Sequence, residues 1–301
     1  MNNMTLTAIW DFSKTDDRLG SFIIFQEELL QFCLISQVAT VDLYFGSTDR
    51  NKSLKHWEII ANLNPAIKTR HFLNHELPWR DWIKGEKLTW PKTDIIQNSS
   101  YTGSTLEVQQ LWKQTGRIIN LLSPEPEIQR ANSWMRCWLD GKVPIAVHLK
   151  SNPLDPQSNA NQNAWAVFFK DCHQKEIPVI FVLIGSDKIK DNIRKLPNTV
   201  VTKDFGGDLS LDFAIIQQSA GFMGMSSGPC NLAIMSSKPY LIWKHPNHHL
   251  EEMEKEFQDM DGFIFATKGQ KFFREFDTSD HITNHFTPWY TDHVSNWERL
   301  I

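Results

Sequence analysis

SAGFMGMSSGPCNLAIMSSKPYLIW, residues 219–243, is the segment that decides the fold. It reads as a short strand, Ala220–Gly224, then a turn of small residues that includes Gly224, Ser226, Ser227 and Gly228, then a helix, and last a proline-led strand, Pro239–Trp243. Pro229 suits a first helical turn, where its missing N–H is no loss, and Ser226 or Ser227 can cap it. A helix start reached through small residues presents unpaired N–H groups and a positive dipole end, which suits an anion, phosphate above all. A capped helix with ordinary tight packing would use the same residues. The turn is neither a GK[ST] phosphate loop nor a GxGxxG fingerprint.

Outward from this segment, VPIAVHLK at 143–150 and PVIFVLIG at 178–185 are short, continuously apolar runs, and Thr199–Lys203 reads as a further strand. Helices are predicted over Glu127–Asp140, closed by Gly141, and over Asn163–Lys175 and Leu209–Gln218. Such alternation is what a parallel sheet covered on both faces requires, so this half is read as a doubly wound α/β domain. Thr5–Phe12, Leu19–Gln37 and Val38–Phe45 give the first half a βαβ opening. Between Lys52 and Gly116 the pattern is weaker: helices at Trp57–Ala61 and Thr105–Thr115, strands at Lys68–Leu73 and Lys92–Gln97. Ser123-Pro124-Glu125-Pro126 can neither continue a helix nor sit in a central strand. It sets the expected domains at 1–125 and 126–285, with residues 286–301 a candidate to pack back on the first.

The 301 residues suffice for two cores. Lys plus Arg is 31 against 35 Asp plus Glu, a formal charge of -4 without a basic block, which argues against a nucleic-acid clamp. Cys33, Cys137, Cys172 and Cys230 form no CxxC pair and suit a reducing compartment. No positive region precedes an apolar stretch at the N-terminus, and the longest apolar run, Ile177–Gly185, is about half a membrane span. A cytoplasmic protein without a transmembrane segment is expected, with peripheral attachment to a membrane left open.

In a doubly wound sheet, ligands sit beyond the carboxyl ends of the strands. Three ends therefore hold the candidate binding residues. The first carries His148, Lys150 and Asn152, where a cation follows an apolar strand and would face an anion. A core histidine and a surface lysine are the structural alternative. The second is Gly185, Ser186 and Asp187, a turn whose glycine lets backbone approach a ligand. The third is the small-residue turn at Ser226, Ser227 and Gly228, followed by Asn231.

The combination of IAVHLK, PVIFVLIG and GMSSGPCNLAIMSSKPYLIW resembles the C-terminal half of GT-B glycosyltransferases, especially the heptosyltransferase-like and bacterial fucosyltransferase-like groups. Ser227, Gly228, Pro229, Asn231, Leu232, Ala233, Lys238 and Pro239 fill the late pattern of the heptosyltransferases. The strand ending in His148 and Lys150 resembles the fucosyltransferase-like VHxR, with lysine in place of the two-pronged arginine. The resemblance covers residues 140–245 and reaches the first half only through architecture. It implies two Rossmann-like domains facing across a cleft, with a nucleotide-diphosphate-sugar donor on the second and a glycan or other hydroxyl acceptor on the first. It also implies glycosyl transfer without metal or cofactor, in surface-polysaccharide assembly. The general base implied is an aspartate near the first strand-to-helix loop: Asp16 or Asp17, with Asp11 a third candidate. Acidic residues at a helix start also have a structural use.

His245, His248 and His249 lack metal-site spacing and are placed at the rim near the nucleotide. The glutamates of Leu250–Phe257 read as a solvated helix face, although Glu251 could approach a donor sugar. Trp79, Trp82 and Trp90 could stack on sugars or fill a core. A nucleotide-sugar epimerase, and a non-catalytic nucleotide- or glycan-binding protein, are the rival functions.

Overall fold

The computed structural model describes residues 4–15, 17–49, 51–74, 88–92, 101–257 and 262–297. The chain divides into two compact units, Met1–Leu122 and Ser123–Ile301.

The first unit is built on a parallel sheet ordered β3-β2-β1-β4, with β1 Thr5–Asp11, β2 Thr40–Ser47, β3 Ile67–Asn74 and β4 Thr89–Trp90. Trp10 on β1 is fully buried and packs against Phe22 and Phe25 of helix Leu19–Ser36, with ring centroids 4.9 and 5.0 Å away. That helix is long and apolar enough to cross a membrane, yet most of it is buried inside the unit. Its buried side includes Gln26, Glu27, Glu28 and Gln31, all fully inaccessible. Glu28 accepts from Trp90 Nε1 at 3.0 Å, from the Ser104 amide at 2.7 Å and from the Tyr101 hydroxyl. Glu27 accepts from Gln31 Nε2 at 2.7 Å and the Ile119 amide at 2.9 Å. Trp90 is thus a core residue, also packed on Phe32, and not a sugar platform. Trp79, Trp82 and most of the strand expected at Lys92–Gln97 lie outside the described residues.

The second unit holds six parallel strands: β5 Val143–His148, β6 Val179–Leu183, β7 Thr199–Val201, β8 Gly221–Met225, β9 Tyr240–Trp243 and β10 Gln270–Phe273. Their order is β10-β9-β8-β5-β6-β7. The chain winds outward from β5 in one direction and from β8 in the other, which is the Rossmann order, so the switch point lies between those two strands. Trp165, Phe168, Phe169 and Phe181 are fully buried in the core, each worth roughly 1.5–3 kcal/mol of burial.

Two expectations change here. The prolines at 124 and 126 start a helix: it spans Glu125–Leu139, with Pro124 at the N-cap and Pro126 in the first turn, where no amide is required. Of residues 286–301, a candidate to pack back on the first domain, Phe286, Trp289 and Val294 belong to the second core. Ile282, Phe286, Trp289 and Val294 line one side of the C-terminal helical segment and are buried there, and Trp289 Nε1 donates to the Gly269 carbonyl at 2.8 Å. The four cysteines are free thiols, with Cys137 exposed and Cys33, Cys172 and Cys230 buried.

Candidate functional site

At the switch point, His148 of β5 stands beside Gly224 of β8 in register. Gly224 has φ +143, and a Cβ there would come within 2.2 Å of the His148 carbonyl oxygen. Gly185, beyond β6, has φ +94, and its Cβ would lie 2.7 Å from the His148 ring. Both glycines are needed for close approach and for conformations that side chains rarely adopt. The buried ring places Nε2 3.1 Å from Asp187 Oδ2, while Asp187 Oδ1 accepts from the Ser151 amide at 2.6 Å. Burial works to raise the Asp187 carboxyl, but the His148 ring, the Ser151 amide and the Lys150 charge hold it below its ordinary value. The Gly185 amide donates to Asp212 Oδ2 at 2.9 Å, and Thr202 Oγ1 to Oδ1 at 2.7 Å; burial outweighs both bonds and raises that carboxyl. His148, Gly185 and Asp187 are therefore brought together as the frame of the strand-end loops. Ser186 joins through its carbonyl, which accepts from Lys203 Nζ at 3.1 Å.

Two lysines and a histidine lie on this frame. Lys150, just past β5, has Nζ 3.5 Å from Asp155 Oδ2, and His248 Nε2 lies 3.2 Å from the same oxygen. Lys244 follows β9 directly and was missed in the sequence. Its ammonium lies 3.1 Å from the Met253 sulfur, and burial lowers its pKa, because a thioether compensates little for lost water. Lys150 and Lys244 are within electrostatic reach of each other and of the Cys230 thiol, which burial pushes up to about 11. The ends of β5 and β9 and the turn after β8 thus converge on one region that holds both lysines. His245, next to Lys244, is 3.1 Å from the buried Asp277, whose other oxygen accepts from the Asn161 amide at 2.7 Å and Trp165 Nε1 at 2.8 Å. Burial, followed by the neighbouring His249, lowers the pKa of His248.

The turn after β8 is more self-contained than its composition suggests. The Ser226 amide donates to the Trp243 carbonyl at 2.8 Å, and the Ser227 amide to Cys230 Sγ at 3.2 Å. The Gly228 carbonyl accepts from the Asn231 amide at 3.2 Å, and the helix, Cys230–Ile234, is short. Two amides expected to face an anion are therefore engaged already, one by β9 and one by Cys230. Asn152 likewise serves its own loop: its side chain accepts from the Leu154 amide at 2.9 Å, and its amide donates to Asn159 Oδ1 at 2.5 Å.

In the first unit, Asp11 ends β1 and is buried, with Oδ1 accepting from the Ser13 amide and hydroxyl at 2.8 and 2.7 Å. Asp17 is exposed and pairs with Lys52 at 2.6 Å. Asp16 lies outside the described residues. No cluster of three metal-ligating side chains occurs among the described residues. The sequence does contain one Asp-x-Asp, Asp259-Met260-Asp261, also outside them.

No family model matches the chain, and no curated protein does. Among solved structures, the glycosyl transferase family 9 protein of Veillonella parvula superposes with a TM-score of 0.61 over 97% of this chain and 99% of that one, at 10% identity. The chain has the GT-B glycosyltransferase fold. E. coli ADP-heptose LPS heptosyltransferase II shares the GT-B likeness, with a TM-score of 0.57, 10% identity, and 96% and 99% of the two chains covered. So does E. coli heptosyltransferase WaaC, solved with ADP, with a TM-score of 0.55 and the same identity and coverage. In this GT-B chain, the charged strand ends of the second unit fall at the crevice position that the sheet order defines.

Proposed function

We propose that this chain is a cytoplasmic glycosyltransferase, with a nucleoside-diphosphate-sugar donor held at the carboxyl edge of its second sheet and the sugar passed to a carbohydrate or other hydroxyl acceptor of a surface polysaccharide. The observation that carries the reading is the convergence of Lys150, Lys244 and His248 beside the β5/β8 switch point. The GT-B fold, shared with a heptosyltransferase solved with ADP, supports it. Fixed cations there would offset the charge that develops on the departing diphosphate, so no metal need do so. The small-residue turn at Ser226–Gly228 would let the diphosphate approach the backbone, and Asn231 would orient a phosphate or sugar hydroxyl. A carboxylate of the loop after β1, Asp16 or Asp17, would take the acceptor hydroxyl proton. The oxygen then bonds to the anomeric carbon as the bond from that carbon to the diphosphate oxygen breaks. For Asp17 this requires exchange of its Lys52 partner for the acceptor.

Calorimetric titration of nucleoside diphosphates into the chain and its Lys150→Ala variant tests the site. Loss of a charge-assisted contact is expected to weaken binding about tenfold or more, with little change in melting temperature. Equal affinity in both proteins would refute the role of Lys150. Incubation with donor alone separates transfer from epimerisation, since only an epimerase converts the donor sugar without acceptor.

A further inference from the structure

The loop after β5 places a carboxylate on groups that the proposed donor site requires. Asp155 Oδ2 is shared by two of them, the Lys150 ammonium at 3.5 Å and the His248 ring nitrogen at 3.2 Å, which come from separate strand ends. The other acidic groups nearby are differently engaged. Asp187 is held by His148 and the Ser151 amide, while Glu252 and Glu256 act on Lys244.

The loop is pinned at its base and open at its tip. The Ala160 amide donates to the Lys150 carbonyl at 2.9 Å, and Asn159 and Asn152 exchange bonds at 2.5 and 3.0 Å. Residues 153–157 lie beyond this clamp, and Leu154 at the tip is 93% exposed, so no apolar contact anchors it, whereas Ser158 is buried at the base. The Ser158 amide and hydroxyl both donate to the Asp155 carbonyl, which holds the Asp155 main chain to the base and leaves its half-exposed carboxylate free to turn.

We infer that Asp155 is an internal stand-in for the donor diphosphate: it covers the cation site in the empty protein and is displaced by the arriving ligand. This rests on the donor site proposed for the second unit. A diphosphate carries more charge and more acceptor oxygens than one carboxylate, so it wins the Lys150 ammonium and the His248 ring where a monoanion does not. The Asp155 side chain then turns away from Lys150 and His248 without disturbing β5. Asp155 thereby makes the site selective for polyanions as well as closed when empty.

Inorganic pyrophosphate, which has neither base nor sugar, and ADP are titrated by calorimetry into the full chain and its Asp155→Asn and Lys150→Met variants, with melting temperatures recorded with and without ligand. Asp155→Asn is expected to bind pyrophosphate about five- to thirtyfold more tightly than the unaltered chain. It should melt lower without ligand, because the Lys150 ammonium loses its counter-ion, yet gain more on adding ligand; Lys150→Met should bind poorly. If Asp155→Asn binds no better than the unaltered chain while Lys150→Met is impaired, the stand-in is overturned and the donor site survives. If none of the three proteins binds either ligand, both fall.

Discussion

His148 is held from three sides, and the tolerance of its neighbours follows from that. At Gly224 a methyl group would meet main chain, which cannot swing aside, in a conformation that is already strained for any side chain. Gly224→Ala is therefore expected to cost about 3 kcal/mol or more, or to prevent folding of the second unit. At Gly185 the clash is with a ring, and the variant should fold while losing the His148–Asp187 contact. Urea midpoints of the two variants check this ordering; equal losses would show that the backbone yields at 224. Part of this site was legible. A cation following an apolar strand picked out Lys150, and the same logic applied to YLIWK would have found Lys244. Asp155 was not legible, because nothing in SNPLDPQSN says which residue a loop will fold back onto the strand end. The turn at 226–228 was read too generously: composition gives the small residues but not which amides the neighbouring strand and Cys230 consume.

The helix Leu19–Ser36 is the element in which polarity and burial conflict most. Burial pushes the Glu28 carboxyl up to about 8, against the bonds from Ser104, Tyr101 and Trp90 and helped by the charge of Glu107. Burial likewise raises Glu27 to about 7, against the Ile119 amide and Gln31. Both groups start from 4.5, so between pH 5 and 8 the unfolded chain has released protons that the folded chain still binds. Their contribution to stability is complete below that range and is lost as pH rises through it, by up to about 1 kcal/mol per unit for each group. Denaturation of the full chain at pH 5, 6.5 and 8, followed in the first unit, is expected to show the decline, and a Glu27→Gln, Glu28→Gln chain to flatten it. Equal stability at pH 5 and 8 would mean that both carboxyls ionise without cost. The helix itself was legible from its apolar length. Its buried polar side was not, because the partners come from residues 90, 101, 104 and 119, far away in sequence.

At the scale of the whole chain, the parallel sheets were legible wherever strands are continuous apolar runs, as in β5, β6, β8 and β9. The edge strand β10, four residues with alternating burial, gives no such run and was passed over. The C-terminal segment was misplaced because an amphipathic helix shows that it has a partner but not which one. Trp289 packs so closely on β8 that a Cβ at Gly221 would be 2.6 Å from its ring. Truncation after residue 285 is therefore expected to unfold the second unit, lowering its melting temperature by well over 10 °C or leaving the chain insoluble, at the several kcal/mol typical of an emptied core. An unchanged melting temperature would show that the segment is not part of that core. The thiols have a practical consequence at this scale. Cys33 and Cys172 are pushed by burial up to about 12 and Cys230 to about 11, and only Cys137 is open to solvent. Since thiolate is the reactive form, a maleimide dye near neutral pH should tag the unaltered chain at one point on helix Glu125–Leu139. One label comes without mutation, and a single engineered cysteine in the first unit would supply the second needed to measure distances between the units while substrate turns over.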